Sequence, residues 1–169
     1  IDVRDCGARG DGTHDDTTNI QAAIMACPEM GRVLVPQGRY VVKSLFLKSG
    51  VSVELQEGAQ ILARHDKDSL AYIPGTLKGT KGMGRDASGL FPLGRWEGES
   101  VSTYCSLFTA IGVHDAGVYG RGTIDGQTDF AEDNWWHNVK DIYRSNEGRD
   151  IARPRMAFMS ECTNISLVG

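Results

Sequence analysis

The first residues in this sequence whose pairing could do acid–base chemistry are the adjacent carboxylates Asp15 and Asp16. They stand directly before Thr17 and Thr18 and a stripe of Ile20, Ala23, Ile24 and Cys27, spaced i, i+3, i+4, i+7. At the start of a helix such acids serve as N-caps and first-turn negative charge, so the structural role is favoured over catalysis. Asp125 precedes Gly126, and Asp-Gly is a turn signal in which the carboxylate satisfies local amides. Trp135 and Trp136 offer rings for stacking, as aromatics do on sugars. Adjacent side chains diverge, however, and anchoring an irregular segment is the stronger reading. His137 beside them has the chemistry of a proton shuttle, but no acid partner is identified for it. Arg95, Lys78, Lys81 and Arg85 could meet ligand carboxylates, for which Arg presents a bidentate fork; ordinary solvated charge is the alternative. The run Gly79-Thr80-Lys81-Gly82-Met83-Gly84 lacks the Gly-Lys-Ser/Thr ending of a phosphate loop and is rejected as one. Asn164-Ile165-Ser166 has the form of a glycosylation sequon, yet its Ile165 reads as a core residue on a strand.

The bulk numbers narrow the class of partner. The chain has 169 residues, enough for one domain, and a net charge of −4. That balance argues against nucleic acid, which selects a basic surface. Its 21 glycines exceed the roughly 12 expected at a usual share of about 7%, which points to many turns between short strands. Cys6, Cys27, Cys105 and Cys162 form no C-x-x-C pair, so no metal site is expected, and they read as small buried hydrophobes. A Cys6–Cys27 disulfide is left open by the spacing. No run reaches the ~20 apolar residues of a membrane span. The start at Ile1 is compatible with a processed, secreted chain.

The elements that would position these residues are mostly short strands. Residues 2–5 read as a brief extended piece and Gly7 to Gly12 as a loop, followed by the helix, which Pro28 ends. Then Arg32 to Pro36, Arg39 to Lys43, Leu45 to Leu47, Val51 to Leu55 and Gln60 to Ala63 are β-branched runs punctuated by Gly and Pro. A related pattern recurs three times: Phe46, Val53, Leu55; Phe108, Ala116, Val118; and Phe158, Ile165, Leu167. A repeated rung is what a β-solenoid requires, since each coil buries its inner face only against its neighbours. The helix then serves as the cap on the first coil. Two polar stretches interrupt the pattern, from about Arg64 to Ser102 and from Asp129 to Ile151, and insertions in solenoids map to one face, often the binding face.

Several of these segments carry a family likeness. Val3 to Gly12, with Asp15-Asp16-Thr17 and Ile20 to Ile24, resembles the opening segment of pectin-lyase-like β-helix proteins. Gly120-Arg121-Gly122-Thr123-Ile124-Asp125-Gly126-Gln127, followed by Trp135-Trp136 and Arg153-Pro154, is similar to the polygalacturonase family, glycoside hydrolase family 28. Val35 to Tyr40 and Leu55 to Ala59 match its early coils. Arg95-Trp96-Glu97-Gly98-Glu99 resembles bacterial members, some of which act from chain ends.

The resemblance implies an all-β, right-handed parallel β-helix with a short N-terminal capping α-helix, truncated at its C-terminal end. It would be organised as an opening strand and capping helix (1–31), first coils (32–63), an insertion (64–105), a coil (106–128), a second insertion (129–152) and a coil (153–169). It implies hydrolysis of α-1,4-galacturonosidic bonds in pectin by an inverting pair of carboxylates, without cofactor or metal. The family carries those acids in Asn-Thr-Asp and Asp-Asp motifs, followed by Gly-His-Gly and Arg-Ile-Lys. None stands here in the matching context, so no catalytic residue is expected within the segment and the segment alone is expected to be inactive. Arg95, Trp96, Glu97 and His137 are the candidate substrate-binding residues. Expected partners are the galacturonan substrate and the C-terminal remainder of the β-helix, with neither nucleic acid nor membrane, in a secreted or periplasmic setting. The alternatives are pectate-lyase-like elimination and a non-catalytic carbohydrate-binding β-helix.

Overall fold

The computed structural model describes residues 1–64, 66, 69–78, 90–96, 99–100, 102–128 and 154–169. The chain falls into two compact units, Ile1–Arg64 with Ser106–Gln127 and Met156–Gly169, and His65–Cys105 with Thr128–Arg155.

The first unit opens with a 3₁₀ turn, Val3–Cys6, and not the extended piece read from residues 2–5; only Asp2 bridges a strand, pairing with Leu34. Asp2 accepts from the Arg4 amide at 2.8 Å, which holds the chain in the turn. Strand β1 (Asp11–Asp15) begins inside what reads as a loop, and helix α1 (Thr17–Ala26) follows. Its stripe is as the spacing predicts: Ile20, Ala23, Ile24 and Cys27 are all buried. Five strands then match the β-branched runs: β2 (Gly31–Val35), β3 (Gly38–Val42), β4 (Leu45–Phe46), β5 (Val51–Leu55) and β6 (Ala59–Ala63).

The second unit holds short strands inside a stretch that the sequence reads as a glycine-rich, polar insertion. These are β7 (Tyr72–Ile73), β8 (Thr76–Lys78), β9 (Leu90–Pro92), β10 (Arg95–Trp96), β11 (Glu99–Ser100) and β12 (Thr103–Tyr104). They pair antiparallel as β8 with β9, β10 with β11, and β7 with β12. Strands of two or three residues carry too few positions to show a period. Tyr72 and Tyr104 stack with ring centroids 4.7 Å apart.

Back in the first unit come β13 (Phe108–Ile111), β14 (His114–Gly120), β15 (Thr123–Asp125), β16 (Ala157–Ser160) and β17 (Thr163–Val168). The strands form three parallel sheets, in the orders β2-β5-β14-β17, β1-β3-β6-β15 and β4-β13-β16. Each coil visits the three sheets in turn, which is a parallel β-helix. Sheet registers stack Val33, Val53, Val118 and Leu167, and beside them Tyr40 on Ile61 on Ile124. The inward positions Val33, Val35, Tyr40, Val42, Val53 and Ile61 are almost fully buried. Each contributes about 1.5–3 kcal/mol by leaving water, and together they form the core that runs through the coils.

The registers correct the expected rungs. Phe46 and Phe158 both align with Thr109, whereas Phe108 stacks on Leu45 and Ala157. Phe108 is therefore buried and Phe46 points outward, 42% exposed. Val53 likewise aligns with Val118 and Leu167, two residues from the expected match to Ala116 and Ile165. A two-residue shift keeps every side chain on its own face, so the hydrophobic pattern alone cannot detect it.

The capping helix is tied down at several points. The Asp16 carboxylate, fully buried, accepts from the Arg9 and Gly10 amides at 2.8 and 3.0 Å instead of capping α1. Gln21 pairs its side-chain amide with the backbone of Phe46, donating to the carbonyl and accepting from the N–H. It thus stands where a further strand would lie and covers the edge of β4. Lys48 donates to the carbonyls of Met25 and Cys27 at 2.8 and 2.7 Å, closing the helix C-terminus. The four cysteines are free; Cys27 and Cys105 are buried, and Cys6 and Cys162 are half-buried, so no Cys6–Cys27 disulfide forms.

Candidate functional site

One corner of the coil differs from the others. In the first coil the chain passes from β3 to β4 through Lys43 and Ser44 alone. In the second it leaves after Arg64, beyond the end of β6, and returns at Ser106 to enter β13. In the third it leaves after Gln127, beyond β15, and returns at Met156 to enter β16. Both insertions therefore spring from the same corner of successive coils. In repeat proteins, insertions at one corner of successive coils are where ligand sites are commonly built.

The described residues at this corner are polar. Val42 pairs with Ala63 in the last rung of β3 and β6, and Lys43 and Arg64 follow on adjacent coils. The Arg64 amide donates to the Val42 carbonyl at 2.8 Å, which carries the pairing past the strand ends. Asp15, at the end of β1 on the coil before them, meets both cations. Its Oδ2 is 3.2 Å from Lys43 Nζ and 3.5 Å from Arg64 Nη1. Its Oδ1 accepts from the Thr17 amide and hydroxyl at 3.1 and 2.5 Å. Partial burial alone raises the Asp15 pKa, but hydrogen bonds from Thr17 and Lys43 and the charge of Lys43 outweigh it and hold the carboxyl below the usual range. On the third coil, Gln127 Nε2 donates to the Ala63 carbonyl at 2.7 Å.

These contacts settle the roles of the acids weighed first. Asp16 is buried and spent on two backbone amides; Asp15 is an ion-pair centre. Asp125 accepts from the Gln127 amide at 2.7 Å in an Asx turn, the structural role its Asp-Gly context predicts. The preceding Gly120-Arg121-Gly122 is a close approach of two coils: the Arg121 and Gly122 amides both donate to the Leu55 carbonyl, at 2.9 and 3.1 Å.

Of the four candidate substrate-binding residues, the structure places two. Arg95 and Trp96 form β10 in the second unit, where Arg95 pairs with Ser100 and Trp96 with Glu99 of the antiparallel β11. Glu97 and His137 lie outside the described residues, as do Trp135, Trp136, Lys81 and Arg85. Lys78 ends β8, opposite Leu90. Lys43 and Arg64 escape a reading of the sequence because 21 positions separate them and only the coil register brings them together. The available signal is positional: each is the first cation after a β-branched or aliphatic strand, in Val41-Val42-Lys43 and Leu62-Ala63-Arg64.

Comparison with known proteins agrees with this architecture. Residues 1–56 match the family model described as rhamnogalacturonase A/epimerase, pectate lyase-like. The chain is 40% identical over 78 residues to an exo-poly-α-D-galacturonosidase of Dickeya chrysanthemi, a match covering 46% of this chain and 12% of that protein. It is 48% identical over 66 residues to plasmin and fibronectin-binding protein A of Streptococcus pneumoniae, covering 37% of this chain and 9% of that one. In structure it resembles the family 28 exopolygalacturonase of Yersinia enterocolitica, with a TM-score of 0.72 at 22% identity, over 99% of this chain and 33% of the other. The fold is thus a parallel β-helix, and its sequence is similar in part to that of an exo-poly-α-D-galacturonosidase. The matched stretches span about a tenth of each sequence relative, and the chain spans a third of the Yersinia structure.

Proposed function

We propose that this chain forms the capped end and first coils of a secreted hydrolase that cleaves α-1,4-galacturonosidic bonds in pectin. The observation that carries this reading is the 40% identity to an exo-poly-α-D-galacturonosidase. The corner from which both insertions spring supports it by giving a face over which a sugar chain could lie. In this reading the reaction inverts the anomeric centre: one carboxylic acid protonates the leaving oxygen while a carboxylate about 6.5–9.5 Å away activates water. Those acids belong downstream of residue 169, because the family's Asn-Thr-Asp and Asp-Asp motifs do not stand in matching context within residues 1–169. Arg95, Trp96, Glu97 and His137 belong to the substrate-binding surface.

A second reading follows from the likeness to the plasmin and fibronectin-binding protein: a non-catalytic β-helix that binds without cleaving. The assay that separates them follows polygalacturonate incubated with the natural polypeptide that contains this chain. Hydrolysis releases reducing ends without an unsaturated, near-ultraviolet-absorbing product. Elimination yields that product, and a binding protein releases neither. Residues 1–169 alone are expected to release no reducing ends; activity from them alone would show that the catalytic acids lie within the segment.

A further inference from the structure

Lys43 and Arg64 stand one above the other on adjacent coils, at the strand spacing of about 4.8 Å, just past the last paired rung of β3 and β6. One carboxylate, Asp15 Oδ2, faces both cations from the coil before them. The Asp15 side chain is fixed in turn by Thr17, whose hydroxyl also accepts from the Lys43 amide at 2.9 Å. The two cationic heads are therefore held in place before any ligand arrives, which lowers the ordering cost of binding. About a third of each side chain is in contact with solvent, 32% for Lys43 and 33% for Arg64. Gln127 adds an amide on the third coil, anchored by its bond to the Ala63 carbonyl. An ammonium, a guanidinium and an amide thus climb the corner, one per coil, at the place where both insertions leave.

We propose that Lys43 and Arg64 are specificity-determining residues that bind the carboxylate of an acidic sugar unit, so that the early coils select an anionic polysaccharide over its neutral counterpart. The inference rests on the pectin-directed reading above and deepens it by naming residues on this side of the surface. A carboxylate suits the pair because the guanidinium offers a planar fork and the ammonium a compact point charge. Asp15 acts through them as a positioning residue.

The test measures the affinity of the natural polypeptide that contains this chain for oligogalacturonate and for the same oligomer with its carboxyls methyl-esterified. The acidic oligomer is expected to bind more tightly to the wild type, by a margin that shrinks as salt is raised. Lys43→Gln and Arg64→Gln are each expected to weaken acid binding about tenfold, leave ester binding unchanged, and so narrow the margin. Lys43→Arg, which keeps the charge, is expected to retain it. Equal wild-type affinity for acid and ester overturns the proposal with no variant needed. If the wild type prefers the acid but both glutamine variants keep the full margin, the preference comes from elsewhere; the proposal then fails while the pectin-directed reading stands. Binding of neither oligomer fails both together. A purely structural role for the pair would lower the melting temperature of the variants without changing the acid-to-ester ratio, and that outcome also overturns the proposal.

Discussion

Gly120 lies directly over the carbonyl of Leu55 on the coil beneath it, and a Cβ added at Gly120 would overlap that oxygen. Its φ of +124° is also one that a side chain strongly disfavours. The carbonyl in question accepts from both Arg121 and Gly122, so it cannot move aside without breaking two hydrogen bonds. The first glycine of the Gly120-Arg121-Gly122 segment is thus required by the distance between coils and not by chemistry. Gly120→Ala is expected to destabilise the fold by about 2–3 kcal/mol, read as a shift in denaturant midpoint with unchanged slope. A midpoint within error of wild type would mean that the coils separate more easily than this packing implies.

Lys48 gives a separate prediction about the cap. Its ammonium closes the last carbonyls of α1 from the strand side, at Met25 and Cys27. Lys48→Met keeps the length of the side chain and removes both bonds. The expected cost is about 1 kcal/mol, from lost C-terminal capping and the lost interaction with the helix dipole. Thermal unfolding followed by circular dichroism checks it; an unchanged or raised midpoint contradicts the capping role.

Acid should weaken the β1 turn in a low-pH window set by Asp11. Asp11 Oδ1 accepts from the amides of His14 and Thr13, each at 2.8 Å, and from the Thr13 hydroxyl. The His14 amide foremost, then Thr13, lower the Asp11 pKa from 3.8 to about 2. A folded-state pKa depressed in this way contributes stability that is present above about 3.8 and is lost as pH falls toward about 2. The melting temperature should therefore fall across that window, and Asp11→Ala should flatten part of the slope. An identical slope in the variant would show that Asp11 does not carry the linkage.

How far these features can be read from sequence depends on whether the signal is local. The strands β2 to β6 are legible because Val33, Val35, Val53 and Leu55 alternate with exposed or half-exposed residues between glycine and proline stops. The helix is legible because Ile20, Ala23, Ile24 and Cys27 repeat at helical spacing. The register between coils is not. Phe46, Phe108 and Phe158 look alike in sequence, yet Thr109 takes the place of Phe108 in their rung. The strands β7 to β12 are hidden because each is only two or three residues long. At the candidate site, Asp15 draws the eye as half of an acid pair. Its actual partners, Lys43 and Arg64, are distant in sequence and meet it only when three coils are stacked.

The corner from which both insertions spring is expected to be where the polysaccharide meets the first coils. The most direct measurement is a residue-resolved footprint of an oligogalacturonate on the intact chain, by amide chemical shifts or hydrogen exchange. Changes are expected at Lys43, Ser44, Arg64 and Gln127. None is expected on the outer side of the β2-β5-β14-β17 sheet, where Arg32 pairs with Glu54 at 2.8 Å and Glu54 accepts from the Tyr119 hydroxyl. Changes confined to Arg32, Glu54 and Tyr119, with the corner unmoved, would contradict it.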